Sequence, residues 1–144
     1  SGAVKSKYNV HKRMGNMIQS AESEIKIMTT EKGIQDIREN HMDVLKEADD
    51  IGVDVRIVAP KTESNSEDFE QLSKYADLRT HTDAEKAPDG RFVIVDDDSV
   101  SMSLTHDNIH PTQDTMFWSD SDHAASDAMG PLFEMVWENG KPHR

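Results

Sequence analysis

The side chains best suited to hold a ligand are Arg91, Ser103, Thr105 and His106. The first three lie on two strand-like runs, Arg91–Val95 and Val100–Thr105, joined by the tight acidic turn Asp96-Asp97-Asp98-Ser99, and His106 directly follows the second. The Arg91 guanidinium can neutralise an anionic group or donate to a polyol, while the hydroxyls and the imidazole supply further hydrogen bonds. Asp89, two residues before Arg91, belongs to the same candidate pocket, and Trp118 can stack on a ligand ring. Each has a plainer alternative. Pro88-Asp89-Gly90 can be a turn entering a strand with Arg91 exposed or paired, and Trp118 can be core packing.

Histidines offer a second chemistry. His106 and His110, with Asp107 and Asp114 nearby and His81 and His123 elsewhere, carry metal-ligand types, with His106 and His110 the first ligands to name. Imidazoles four residues apart share a face only on a helix, and Pro111 with Asn108 argues for a loop. His106 and His81 are also the residues that a hydrolytic reading needs as nucleophile. The methionines at helical apolar positions, such as Met14 and Met17, read as packing.

The elements that must position these groups follow from periodicity. Val10, Met14, Met17, Ile18 and Ala21 form one face of a first helix that starts in the basic run around Lys5 and Lys7. Ile25–Thr30 alternates like a strand. Thr30 caps a helix running to about Asp50, with Ile34, Ile37, Val44, Leu45 and Ala48 inward and Ile51-Gly52 ending it. Val53–Pro60 is a strand, Phe69, Leu72, Tyr75 and Ala76 mark a short helix, and Asp77–His81 is a short strand before a loop over Thr82–Gly90. After the hairpin come a loop over Asn108–Asp114, a strand at Thr115–Trp118 and a closing helix from Asp122 to Asn139. Gly130-Pro131 must kink or split that helix. The expected class is α/β. Its mixed sheet has a parallel βαβ start, an antiparallel hairpin and helices on both faces.

Composition limits the function. The 144 residues suit one domain, and the net charge of −12 repels phosphate backbones, so this segment alone is a poor nucleic-acid binder. Without cysteine there is no disulfide, thiolate metal site or thiol nucleophile, which fits a cytoplasmic setting. No apolar run reaches membrane-spanning length, and no cofactor is called for. Ser1-Gly2 reads as a tag remnant.

The spacing Asp89-x-Arg91-x4-Asp96 resembles the His-x-Lys-x4-Asp signature of the phospholipase D superfamily, with aspartate at the nucleophile position and arginine at the lysine position. An aspartate there repels an anionic phosphodiester, so the signature reads as degenerate and the catalytic residues as none. Ser103 matches a superfamily serine, whereas the accompanying glycine and asparagine are absent. More broadly, Glu24–Thr30, Val53–Pro60, Gly90–Asp97, Met116–Trp118 and Leu132–Trp137 resemble the phospholipase D-like effector domain of archaeal TrmB-type transcriptional regulators. The resemblance implies that residues 1–22 are the tag remnant and the end of a linker or dimerisation helix, that 23–140 are the effector domain, and that 141–144 are a tail. It further implies a homodimer, a small-molecule effector, and DNA contact only through an upstream winged helix. A phosphodiesterase with altered residues and a metal-responsive sensor remain the competing readings.

Overall fold

The computed structural model describes residues 1–81 and 87–144. Among them, eight strands form one mixed sheet in the order β1-β7-β6-β5-β2-β3-β4-β8. In chain order these are β1 (Gly2–Lys5), α1 (Lys7–Gln19), β2 (Glu24–Met28), α2 (Glu31–Asp50), β3 (Asp54–Ala59), α3 (Ser66–Leu72) and β4 (Asp77–Thr80). They continue with β5 (Arg91–Val95), β6 (Ser99–Ser103), a 3₁₀ turn (Pro111–Gln113), β7 (Thr115–Ser119), a π-helix (His123–Met129), α4 (Gly130–Glu138) and β8 (Lys141–Pro142). β2, β3 and β4 are parallel, whereas β5 joins β2 antiparallel. That is the expected α/β fold with a mixed sheet.

Strand alternation sorts the apolar side chains into two layers. Ile25 and Ile27, Val55 and Ile57, and Val93 and Val95 pack under α1, α2 and α3. Met28, Val58, Ile94 and Val100 point the other way, onto Ala125, Phe133 and Trp137. α2 buries Ile34, Ile37, Leu45 and Ala48 as expected, and Thr30 caps it by accepting the Gly33 N–H at 3.0 Å. Gly52, at φ 83°, lets the chain reverse after that helix.

The β5–β6 hairpin turns through Asp96, Asp97 and Asp98, between the paired residues Val95 and Ser99. Asp96 and Asp97 both adopt positive φ, 55° and 57°, and the Asp98 N–H reaches the Val95 carbonyl at 3.1 Å. This is the mirror-image turn whose twist suits a hairpin. The Asp96 carboxylate accepts the backbone N–H groups of Glu22, Ser23 and Glu24 at 2.8–2.9 Å, fastening the tip to the entrance of β2. Partial burial pushes its pKa up, but those donors outweigh it and hold the carboxyl below its ordinary value. The aspartate of the degenerate signature is thus a clasp within the fold.

Residues 2–19 join the sheet and core. β1 pairs with β7, and α1 buries Val10, Met14, Met17 and Ile18. Lys141–Pro142, expected as tail, pairs with β4. Both short segments lie at sheet edges, where backbone pairing rather than an apolar pattern defines a strand. The closing helix does split at Gly130-Pro131. A Cβ on Gly130 would stand 2.9 Å from the Ala125 carbonyl oxygen, so the wide π-helix closes tightly on α4, and proline falls in the first turn of α4 where its missing N–H costs nothing. The loop expected over Thr82–Gly90 lies largely outside the described residues.

Candidate functional site

A cavity of about 230 Å³ opens where the first turn of α1, the start of α2, the head of β5 and the β6–β7 loop meet. It is lined by Lys7, Lys32, Asp36, Arg91, Thr105, His106, Asp107, Asn108, Ile109, Pro111 and Asp114. Arg91 is central. Its Nη1 donates to Asp36 Oδ2 at 2.7 Å and its Nη2 to Asp107 Oδ1 at 2.9 Å. Burial lowers the Arg91 pKa, but the bonds to Asp36 and Asp107 prevail and keep it above its ordinary value. Asp36 is itself only 5% exposed and also faces Lys7 Nζ at 3.6 Å.

The loop closes around this pair. Asp107 Oδ1 also accepts the Thr30 hydroxyl at 3.0 Å, and Lys32 Nζ comes within 3.4 Å of the Asp107 carbonyl. Thr105 Oγ1 donates to Asp114 Oδ1 at 2.8 Å, while Ser103 Oγ donates to the Thr115 carbonyl at 3.0 Å. The Asp114 carbonyl takes the Ser6 N–H at 2.8 Å, so the loop that lines the cavity also anchors the start of α1.

Of the side chains read from the sequence, Arg91, Thr105 and His106 line this cavity, and Ser103 lies just beneath it, bonded into the β6–β7 pair. Asp89 and Trp118 lie outside the lining. Asp89 is exposed on the turn ahead of β5. Trp118 sits on β7 opposite Ser101, and its ring is covered by the Arg13 guanidinium 3.7 Å from the centroid. A cation from α1 therefore takes one face of the indole. His106 and His110 each turn one ring nitrogen to their own loop. His106 Nδ1 accepts the Asn108 N–H at 3.1 Å, His110 Nδ1 meets Thr112 Oγ1 at 2.8 Å, and no group of three or more metal-binding side chains occurs among the described residues.

Sequence reasoning missed Asp36, Lys7 and Lys32; it set the His106–Asp114 loop beside the pocket but named Asp107 and Asp114 only next to the candidate metal ligands. One signal was present. Asp36 falls on the apolar stripe of α2 between Gly33 and Ile37, and a carboxylate on a buried face needs a cationic partner. A second buried polar group on that stripe, His41, also went unnoticed. Its Nε2 lies 3.1 Å from His11 Nδ1 of α1, and burial, reinforced by His11, lowers its pKa to about 4.

The model of the family described as "Transcriptional regulator TrmB, EBD N-terminal subdomain", the EBD being the effector-binding domain, matches residues 3–142. The chain belongs to this TrmB family. No curated protein sequence matches it. Among solved structures it is similar to TrmBL2, described as an archaeal chromatin protein with a novel mode of DNA binding. That match has a TM-score of 0.67 and 16% identity over 97% of this chain and 53% of the other. It is also similar to Nuc from Salmonella typhimurium, a phospholipase D family member, with a TM-score of 0.73 and 17% identity over 92% and 90% of the two chains. At such identities the likeness shows the fold. The chain spans about half the length of TrmBL2. The subdomain thus has a phospholipase D-like architecture in a family of transcriptional regulators, which favours a non-enzymatic role, and no described helix is long and apolar enough to cross a membrane.

Proposed function

We propose that this TrmB subdomain is a non-catalytic sensor, in which a small-molecule effector in the Arg91 cavity biases the arrangement of a cytoplasmic homodimer. That bias repositions α1 and, with it, a DNA-binding winged helix upstream of residue 1. The observation that carries the reading is the link from cavity to helix. Lys7, in the first turn of α1, faces Asp36, which holds Arg91. A ligand that changes the partners of Arg91 or Asp36 must alter the electrostatics at the start of α1.

The charge distribution supports the division of labour. With a net charge of −12, this subdomain is unsuited to holding a phosphate backbone, so DNA contact falls to another part of the regulator. Titrating the full-length regulator with candidate small molecules while following operator binding tests the proposal. Effector-dependent binding that disappears in Lys32→Ala supports it. Operator affinity indifferent to every effector overturns it.

A further inference from the structure

Resting on the reading of the Arg91 cavity as the effector site, we propose that the effector carries an oxyanion, a carboxylate or phosphate group, and that Asp107 is its internal competitor. The two carboxylates on Arg91 differ in kind. Asp36 projects from α2, is buried and serves both Arg91 and Lys7, so it is a fixed counter-ion. Asp107 belongs to the loop between β6 and the 3₁₀ turn, and its side chain is 22% exposed. Its Oδ1 occupies the point where the Arg91 guanidinium and the Thr30 hydroxyl converge, at 2.9 and 3.0 Å, which is the hydrogen-bonding environment that a ligand oxyanion would need.

Charge balance selects the ligand class. With Asp107 in place, the cavity sets Lys7, Lys32 and Arg91 against Asp36, Asp107 and Asp114. Swinging Asp107 out leaves one positive charge uncompensated beside a half-buried guanidinium, and only an anion restores the balance. A neutral polyol offers hydroxyls but no charge, so it cannot displace Asp107 without leaving Arg91 under-compensated. Displacement also reaches α1, because the loop that carries Asp107 ends at Asp114, whose carbonyl holds the Ser6 N–H.

The test is amide-resolved NMR titration of this chain with inorganic phosphate and, separately, glucose, in the wild type, Asp107→Ala, Asp107→Asn and Lys32→Ala. Asp107→Asn keeps the loop's shape while removing the charge, so a folding defect in one variant leaves the other informative. Phosphate should move the signals of Arg91, Thr105 and Asp107. Removing the Asp107 charge should tighten phosphate about tenfold, and Lys32→Ala should weaken it severalfold. Glucose moving those signals while phosphate does not would overturn the oxyanion but leave the effector-site reading standing. Silence of the cavity to both probes in all four proteins would overturn both. Phosphate shifts confined to surface lysines, unchanged by the Asp107 substitutions, would mark an adventitious ion only and overturn the proposal.

Discussion

Arg91 on β5 and Asp36 on α2, fifty-five residues apart in the chain, meet at 2.7 Å beside the cavity. The pair fixes α2 against the centre of the sheet, and Lys7 extends it to α1. Removing Asp36 leaves a largely buried guanidinium with one acceptor fewer. Asp36→Ala is expected to lower unfolding free energy by about 3 kcal/mol, and Asp36→Asn by less because the amide oxygen still accepts. Urea denaturation at neutral pH measures both, and a loss under 1 kcal/mol for the alanine variant would show that the pair contributes little.

His41 supplies a pH dependence of known sign. Its folded pKa of about 4 lies below the ordinary histidine value of 6.5, so the unfolded chain binds the proton first. The stability due to neutral His41 is complete above about pH 6.5 and is lost as pH falls toward 4, amounting to about 3 kcal/mol. His11, His81 and His143 are lowered in the same direction by burial and add to the trend. Comparing urea midpoints at pH 7 and pH 5, His41→Gln should lose less than the wild type, and an equal loss would place the effect elsewhere.

The clasp at Asp96 makes a graded prediction. Asp96→Ala removes the acceptor for three backbone N–H groups and puts alanine at positive φ, costing about 3 kcal/mol. Asp96→Asn tolerates the dihedral and keeps one acceptor oxygen, so it should cost roughly half as much. Because the folded pKa is depressed, this contribution is present above the ordinary aspartate value and fades as pH falls through the folded pKa. Thermal unfolding of the two variants near pH 7 should rank asparagine above alanine.

Gly130 tests the joint between the π-helix and α4. Its substitution by alanine places a Cβ 2.9 Å from the Ala125 carbonyl, and that oxygen is backbone and cannot rotate aside. A loss of about 2 kcal/mol is expected, with altered tryptophan fluorescence from Trp137 on the adjoining helix. An unchanged melting temperature would mean that the joint relaxes freely.

Bis(p-nitrophenyl) phosphate should not be turned over by this chain. Arg91 is held between Asp36 and Asp107, and the position two residues before it is an exposed aspartate. Turnover abolished by His106→Ala or His81→Ala would restore the phosphodiesterase reading.

The sequence by itself determined the layers and the hairpin. Val93 and Val95 alternate with Phe92 and Ile94, Ile34, Ile37, Leu45 and Ala48 recur at helical spacing, and Gly130-Pro131 interrupts a helix. These are local patterns with periods set by backbone geometry. They also located Arg91, Thr105 and His106 near one another, because the two runs are neighbours in the chain. Only the tertiary structure decided what Arg91 does. Its partners come from α2 and from a loop without periodicity, and ion pairing depends on a separation in space that no spacing along the chain encodes. The same holds for the edge strands β1 and β8, for Arg13 covering Trp118, and for the clasp that Asp96 forms on β2.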